Sequence, residues 1–194
     1  MLTLCKEYVK EKYNKPGNVF MGLVHRLDRP VGGVMVFART SKAASRLSDQ
    51  VRTRTMKKSY QAVVLGKCEK SGDYVDYLLK DKKKNMVSVV DKNTNDAKEA
   101  RLSYRRISSA LSRDNRSEYS LVEIDLQTGR PHQIRVQFAS RKHPLYGDQR
   151  YSSVAKVGQQ IALWATKLEI VHPTKKEKMT FVSNPPNEYP WNIF

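Results

Sequence analysis

Residues 22–40 of the 194-residue chain read Gly-Leu-Val-His-Arg-Leu-Asp-Arg-Pro-Val-Gly-Gly-Val-Met-Val-Phe-Ala-Arg-Thr. Two apolar runs are separated here by a proline and a pair of glycines, a pattern that predicts two short strands joined by a tight connection. Asp28 lies at the end of the first strand, between Arg26 and Arg29. An aspartate beside a turn most often caps that turn, so this segment alone leaves open whether Asp28 has a structural or a chemical role.

A second informative segment, residues 127–138, reads Gln-Thr-Gly-Arg-Pro-His-Gln-Ile-Arg-Val-Gln-Phe. From Ile134 onwards, apolar and polar residues alternate, and the alternation predicts a strand over 132–139 with its apolar side chains toward the core. Arg135 and Gln137 would then face solvent or a cleft. An ordinary half-exposed strand with a solvated arginine is the alternative that this segment leaves open.

The rest of the chain predicts further strands and few helices. A helix is expected where Thr40 or Ser41 can cap a run with apolar residues at helical spacing, and it would end near Arg54. The stretch 80–98 is expected to be a solvated hairpin or insertion without a site, and 108–116 a polar turn. The other expected elements are a helix over 3–13 and strands over 22–27, 33–38, 56–66, 100–107, 118–126, 161–171 and 178–182. This mixture indicates an α+β domain around a mostly antiparallel sheet.

The charge balance is the strongest signal in the composition, because 36 Lys and Arg residues against 19 Asp and Glu residues give a net charge of +17. Such an excess attracts polyanions, and nucleic acid is the leading partner. An anionic membrane surface is the alternative, but no long basic amphipathic helix is evident. No apolar run approaches the roughly 18 residues of a membrane span, and the first residues lack a signal-peptide pattern. We therefore expect a cytoplasmic protein without a membrane partner.

The cysteines and histidines argue against a metal centre and a disulfide framework. Cys5 and Cys68 are far apart and form no Cys-x-x-Cys pair, and the four histidines lack metal-ligand spacing. A Gly-rich phosphate-binding loop is also missing from the sequence. We therefore expect neither a metal nor a nucleotide cofactor.

Four ordered motifs within about residues 20–185 together resemble the pseudouridine synthases of the large-ribosomal-subunit type, the RluA family. The matching segments are Val-His-Arg-Leu-Asp-Arg over 24–29 with Gly-Val-Met-Val-Phe-Ala-Arg-Thr over 33–40, Lys-Ser-Tyr-Gln-Ala-Val-Val-Leu-Gly over 58–66, Thr-Gly-Arg-Pro-His-Gln-Ile-Arg-Val over 128–136 and His-Pro-Leu-Tyr-Gly-Asp over 143–148. Leu-Trp-Ala and His-Pro-Thr, over 163–165 and 172–174, add to the likeness.

The resemblance implies the catalytic fold of these enzymes, an α+β architecture with a mostly antiparallel mixed sheet, flanking helices and a central active-site cleft. Members normally carry one or two further strands ahead of the first motif, and some carry a small RNA-binding domain there. Only about 20 residues precede that motif here. We therefore expect a single catalytic domain over 1–194 that lacks both additions, and a monomer that needs no protein partner.

The reaction implied by the resemblance converts a specific uridine of rRNA or tRNA to pseudouridine. It breaks the bond between C1′ and N1, turns the base and joins C1′ to C5, so it is redox-neutral and needs an ionised carboxylate as nucleophile or base. By resemblance, Asp28 is that carboxylate, and Arg135 is the partner whose planar fork favours its charged form. Tyr60 matches the family's active-site tyrosine, whose ring can stack on uracil; a core aromatic is the alternative for this residue.

The target uridine must leave its stack to reach Asp28, and Arg26, expected on the same strand face, would fill the vacated space. The other expected RNA contacts belong to the same motifs: Arg29, Lys57, Lys58, Arg130, His132 and Gln133, with Arg39 as a further phosphate contact. Each charge is by itself indistinguishable from a solvated surface residue. The alternative function is a catalytically silent or truncated RNA-binding protein on the same fold. The presence of Asp28, Tyr60 and Arg135 argues against a degenerate site, whereas the missing N-terminal strands favour truncation.

Overall fold

The computed structural model describes residues 1–194 and contains three α-helices and ten strands. The helices are α1 (Leu2–Lys12), α2 (Ser41–Arg52) and α3 (Gln133–Ala139). The strands are β1 (Gly22–Leu23), β2 (Gly32–Gly33), β3 (Phe37–Ala38), β4 (Lys57–Leu65), β5 (Ser71–Asp81), β6 (Met86–Val90), β7 (Lys98–Leu111), β8 (Glu118–Leu126), β9 (Leu163–Val171) and β10 (Lys178–Val182). None of the helices has the length and apolarity that a membrane span requires.

Eight of the strands form one sheet, in which the order is β10-β9-β4-β8-β7-β5-β6 and β2 pairs with β9 outside this path. The neighbouring strands are antiparallel, except that β2 and β9 run parallel. β1 and β3 form a separate two-stranded ribbon. The expectation of a mostly antiparallel mixed sheet with flanking helices is therefore confirmed.

The central strand β4 connects two hydrophobic clusters on one face of the sheet. Met56, just before β4, packs with apolar residues of α2, whereas Ala62 and Val64 belong to the cluster that includes α3. Alternate side chains of a strand point to the same face, so Lys58 lies between these two clusters, and Tyr60 belongs to the cluster that includes α3. The gap between α2 and α3 thus leaves an open space above the middle of β4.

Part of the opposite face of the sheet is covered by the C-terminal segment. Val63 of β4 is fully buried there with Tyr119 and Ala162. Tyr189 and Trp191 pack against this cluster. The half of β4 around Val63 is therefore buried on both faces.

Residues 132–139 are a different element from the one expected: α3 replaces the strand. The first six residues of α3 are all buried, so the alternation of polar and apolar residues does not separate a core face from a solvent face. Arg135 faces the cleft, as expected, although its side chain is almost fully buried. The expectation that Gln137 faces solvent or a cleft is wrong, because Gln137 is fully buried and finds polar partners in the interior. Gln137 donates a hydrogen bond to Asp76 at 2.7 Å. Tertiary contacts here override the strand propensity of the branched and aromatic residues.

The other predicted elements differ from the structure mainly at their ends. Six of them, α1, α2, β4, β8, β9 and β10, lie within two residues of their predicted limits, and the Thr40 hydroxyl caps α2 by accepting the Ala43 N–H at 3.1 Å. β5 was not expected, and β7 continues to Leu111 through part of the expected turn. The stretch 80–98 contains the exposed hairpin turn between β5 and β6, as expected. The expectation that this stretch carries no part of a site is wrong, because Lys80 and Asn85 line the cleft described below.

The two strands expected over 22–27 and 33–38 are reduced to the two-residue strands β1, β2 and β3. Gly33 explains part of this difference, because it adopts a φ of +119° and its α-carbon lies directly against the backbone of Ala165. A side chain cannot fit there, and the positive φ turns the chain away from an extended path. The segment that precedes Gly33 packs on the sheet through Leu27 and Val31. Asp28 lies in this segment.

Candidate active site

A cleft of about 760 Å³ opens above β4, between the loop that follows α2 and the loop that precedes α3. Asp28 supplies the one carboxylate among its lining residues, whereas eight lining side chains are cationic. These cations are Arg26, Arg29, Arg52, Arg54, Lys58, Lys80, Arg130 and Arg135. The cleft therefore combines a strongly positive surface, suited to a polyanion, with a single acidic group.

Asp28 has both a structural contact and a free side toward the cleft. Its Oδ1 accepts the backbone N–H of Arg29 at 2.9 Å, and its carbonyl oxygen accepts the N–H of Val31 at 2.9 Å, so the residue does hold the turn. Its Oδ2 accepts a hydrogen bond from Nη1 of Arg135. The side chain remains 28% exposed. A group that reaches the cleft can therefore contact this carboxylate.

Arg135 is a buried bridge between two carboxylates. Its side chain is 5% exposed, and besides Asp28 it contacts Asp148, which is fully buried. Nε donates to Oδ2 of Asp148 at 2.8 Å and Nη2 donates to Oδ1 at 2.6 Å, the bidentate geometry that suits a guanidinium. Burial opposes the charge of Arg135, but the two carboxylates outweigh burial and raise its pKa above the ordinary value. Arg135 is therefore a permanent cation beside Asp28.

His132 is the second side chain, after Arg135, that faces the Asp28 carboxylate. It precedes α3 with a left-handed backbone, at a φ of +49°. Its Nε2 lies 3.6 Å from Oδ2 of Asp28, and its side chain is 7% exposed. Burial lowers the pKa of His132, although Asp28 acts in the opposite direction. The imidazole is thus neutral at neutral pH.

Gln133 stabilises the loop that borders the cleft. Its Oε1 accepts hydrogen bonds from the Thr128 hydroxyl at 2.8 Å and from the Arg130 N–H at 3.0 Å. Its Nε2 donates to the carbonyl oxygen of Arg101 at 3.0 Å. Because both ends of this buried amide are engaged within the protein, Gln133 orients the loop. Gln133 also lines the cleft, and its contact with RNA stays a prediction.

β4 provides the floor of the cleft through Tyr60 and Lys58. Burial raises the pKa of Tyr60 to about 12, so its hydroxyl stays protonated at neutral pH. Lys58 is partly buried, and burial lowers its pKa. No carboxylate lies within ion-pair distance of its ammonium group. Lys57, the adjacent residue, is exposed and lies outside the cleft lining, because neighbouring side chains of a strand point to opposite faces.

The rim of the cleft contains both expected and unexpected cations. Arg26 and Arg29 are exposed at its edge, and Arg130 donates a hydrogen bond to the carbonyl oxygen of Glu99 at 2.8 Å. Arg39 lies elsewhere, stacked 4.7 Å from the centre of the Tyr13 ring. Four further rim residues were not singled out from the sequence: Arg52, Arg54, Lys80 and Asn85. Nothing in their local sequence distinguishes these four residues from other polar residues on the surface.

The sequence reasoning also missed the two residues behind the site, Asp148 and Tyr151. The signal for Asp148 was present, because it ends the motif over 143–148. Its contact with Arg135 cannot be inferred from spacing, since 13 residues and most of a helix separate the two. Nowhere in the chain do three or more His, Cys, Asp or Glu side chains form a group that could hold a metal ion.

A family model described as RNA pseudouridylate synthase matches residues 3–140. Among similar proteins, an uncharacterized RNA pseudouridine synthase of Chloroflexus aurantiacus is 36% identical over 160 residues, covering 81% of this chain and 48% of that protein. The tRNA pseudouridine synthase C of Vibrio cholerae is 30% identical over 169 residues, covering 80% of this chain and 69% of that protein. The ribosomal large subunit pseudouridine synthase D of Nitrosomonas europaea is 35% identical over 179 residues, covering 86% and 48%.

The fold is shared with a solved structure, human RNA pseudouridylate synthase domain containing 1. The two superpose with a TM-score of 0.77 over 95% of this chain and 76% of the human chain, at 21% identity. The chain spans about half the length of several of its curated relatives. The likeness of fold therefore extends over almost the whole chain.

Proposed function

Because the chain belongs to the RNA pseudouridylate synthase family, in its RluA-type branch, we propose that it isomerises a specific uridine of rRNA or tRNA to pseudouridine. The observation that carries the proposal is the single carboxylate of the cleft, Asp28, surrounded by cations and hydrogen-bonded to the buried Arg135. The positive surface can bind the polyanionic RNA backbone, and the carboxylate can act as the nucleophile or base of the isomerisation.

The reaction cleaves the bond between C1′ and N1, rotates the base and forms a bond between C1′ and C5. The proton on C5 is lost and N1 gains one, so atoms and electrons balance without an oxidant or a reductant. Asp28 acts as the nucleophile or base beside the ribose and the base. Its 28% exposed side chain leaves room for that approach.

Arg135 stabilises the negative charge of Asp28, because its guanidinium donates a hydrogen bond directly to the carboxylate. Because Asp148 holds two other nitrogens of the same guanidinium, Arg135 is oriented before the substrate arrives. Tyr60 supports the base from the floor of the cleft, and its high pKa makes its hydroxyl a hydrogen-bond donor at neutral pH.

The target uridine reaches Asp28 by leaving its stack, which costs a few kcal/mol. Arg26 is exposed two residues before Asp28 and occupies the position from which a side chain can fill the vacated space. The RNA backbone is held by the other rim cations, which are Arg29, Arg52, Arg54, Lys80 and Arg130. Lys58 is available for a phosphate or a base oxygen because no carboxylate neutralises it.

We further propose that residues 1–194 act as one catalytic domain, as a monomer in the cytoplasm. The isomerisation is redox-neutral, so its chemistry calls for no nucleotide cofactor. The single continuous sheet, with α2 and α3 packed on one face, supports one domain.

The test of this function is the variant Asp28→Asn, which is nearly isosteric and removes the negative charge. Wild-type protein and variant are incubated with RNA from cells that lack the gene, and pseudouridine is mapped by position. We expect the variant to bind RNA and to form no detectable pseudouridine. Asp73→Asn is the matched control, because Asp73 is exposed on β5 outside the cleft lining and its change alters net charge by the same amount.

Turnover by Asp28→Asn comparable to that of Asp73→Asn would remove Asp28 from the chemistry. Wild-type protein that binds this RNA tightly but forms no pseudouridine would favour the alternative, a silent RNA-binding protein on the same fold.

A further inference from the structure

Tyr151 contacts three parts of the structure around the site: strand β6, His132 and Arg135. Its hydroxyl oxygen is 2.8 Å from the backbone nitrogen of Val87 in β6 and 2.8 Å from Nδ1 of His132. Its ring lies against Arg135, whose guanidinium carbon is 5.2 Å from the ring centre. The proposed reaction assigns no role to this residue, although it contacts both groups that face Asp28.

The direction of the two hydrogen bonds follows from the donors available. The Val87 N–H can only donate, so the tyrosine oxygen accepts that bond. The hydroxyl proton then has one acceptor within reach, Nδ1 of His132. Tyr151 is half-buried, and polar groups shielded from bulk water are normally hydrogen-bonded. Nδ1 therefore accepts the hydroxyl proton, and the ring proton of the neutral imidazole is on Nε2.

The position of Nε2 on the other side of the imidazole also assigns the ring proton to Nε2. Nε2 lies 3.6 Å from Oδ2 of Asp28, so a proton on Nε2 directs a positive dipole at the carboxylate. The opposite tautomer would direct a lone pair at it. A separation of 3.6 Å is longer than a hydrogen bond, but such contacts in empty active sites often shorten when the substrate binds.

We propose that Tyr151 is a positioning residue, which fixes His132 in the Nε2–H tautomer and so makes it a neutral hydrogen-bond donor to Asp28. The proposal rests on the proposed function for the role of Asp28. The lowered pKa of His132 agrees with a neutral ring. A nucleophilic carboxylate benefits from donors that orient it without transferring a proton, and Arg135 and His132 both meet that condition.

A single turn orients both donors. Asp148 holds Arg135 by two hydrogen bonds, and its Oδ1 also accepts the backbone N–H of Arg150 at 3.0 Å and that of Tyr151 at 3.3 Å. Three residues later, Tyr151 holds His132. The turn 148–151 therefore acts on Asp28 through two separate side chains, and it connects the site to β6 through Val87.

The tautomer can be measured directly on the free protein by long-range ¹H–¹⁵N correlation spectra of ¹⁵N-histidine-labelled samples at pH 7.5. In wild-type protein, we expect His132 to be in the Nε2–H form. In Tyr151→Phe, which keeps the ring and removes the hydroxyl, we expect a mixture of tautomers and a roughly 10-fold lower kcat with unchanged KM. Tyr119→Phe is the control for loss of a buried hydroxyl, because Tyr119 is buried on the opposite face of the sheet and outside the cleft lining. We expect it to change neither the His132 tautomer nor kcat.

A second variant separates positioning from a general structural effect. His132→Gln places an amide N–H near the position of Nε2, and an amide has no tautomers. If Tyr151 acts through the tautomer, Tyr151→Phe should lower kcat less than 2-fold in the His132→Gln background. An equal loss in both backgrounds would overturn the proposal.

The spectroscopic result distinguishes this proposal from the proposed function. An Nδ1–H signal in wild-type protein overturns the tautomer assignment, even if Tyr151→Phe fails to fold. An Nε2–H signal that persists in Tyr151→Phe also overturns it. If the tautomer shifts as expected but wild-type protein forms no pseudouridine, the positioning role stands and the proposed reaction does not.

Discussion

At the scale of single residues, His25 shows how the motif around Asp28 is held in place. Its Nε2 accepts the backbone N–H of Val36 at 3.2 Å, whereas its Nδ1 is buried without a hydrogen-bond partner. Burial, with a smaller contribution from Lys58, lowers the pKa of His25 to about 4. The neutral ring therefore joins the two halves of the 22–40 segment, and protonation would remove the acceptor for Val36.

The pKa of His25 predicts a loss of stability in acid. An unfolded histidine has a pKa of about 6.5, so the unfolded chain binds a proton at a higher pH than the folded chain. The stabilising contribution is present above about pH 6.5 and is lost as the pH falls toward about 4, by roughly 2–3 kcal/mol. His25→Gln keeps an acceptor for Val36 but cannot titrate in this range.

The measurement is the free energy of unfolding of wild-type protein and of His25→Gln, by urea denaturation at pH 7.5, 5.5 and 4.0. We expect the free energy of unfolding of wild-type protein, relative to that of the variant, to decrease by roughly 2–3 kcal/mol between pH 7.5 and pH 4.0. Titration of carboxylates affects both proteins and cancels in this difference. A difference that stays constant with pH would show that His25 does not titrate abnormally.

At the scale of elements, the hairpin formed by β5 and β6 extends the positive surface beyond the cleft. Lys80 and Asn85 line the cleft, and the turn between them carries the exposed residues Lys82, Lys83 and Lys84. Asp81 fixes this turn, because its Oδ1 accepts the N–H of Lys83 at 2.8 Å and that of Lys84 at 3.0 Å. The hairpin therefore presents three lysines beside the opening of the cleft.

We expect the triple variant Lys82→Gln, Lys83→Gln, Lys84→Gln to bind RNA less tightly and with a weaker dependence on salt. Each lost phosphate contact lowers the slope of log K against log salt by about 0.7–0.9, so the slope should decrease by about 2. Binding is measured by titration at several salt concentrations. The matched control replaces Lys175, Lys176 and Lys178, which are exposed at the β9–β10 turn outside the cleft lining.

Both triple variants lower the net charge by the same amount, so long-range attraction changes equally. Equal slopes for the two variants would mean that the hairpin makes no phosphate contacts of its own.

At the scale of the whole molecule, α3 connects the core to the site. Phe138 of α3 is fully buried, and its ring packs against those of Tyr74 and Tyr104 at centre-to-centre distances of 5.1 and 5.2 Å. The same short helix carries Arg135, and His132 precedes it. The packing of one aromatic cluster thus sets the position of two groups that face Asp28.

We expect Phe138→Ala to lower the free energy of unfolding by about 3–5 kcal/mol, because it leaves a cavity in a close-packed core. That loss is a large part of the roughly 5–15 kcal/mol by which a typical domain is stable. Phe138→Leu, which fills most of the space, should cost much less. Urea denaturation of the three proteins measures the difference, and similar midpoints for all three would contradict this account of the core.

The sequence by itself determined those features that depend on nearby residues. Thr40 predicted the start of α2 because its hydroxyl reaches the N–H of Ala43 within the same turn. The limits of β8 and β10 followed from local alternation, and the motifs selected Asp28, Tyr60 and Arg135, which the structure brings into one cleft. The excess of 17 positive charges likewise needed no structure to indicate a polyanionic partner.

Only the tertiary structure decided which polar residues are buried. The alternation over 132–139 predicted a strand because a polar side chain is normally placed in solvent, but Arg135 and Gln137 find carboxylates in the interior, at Asp148 and Asp76. Those partners come from distant parts of the chain, so local propensity cannot anticipate them. For the same reason Tyr151 was not identified from the sequence: its role depends on contacts with Val87 and His132 that exist only after the sheet and α3 have packed together.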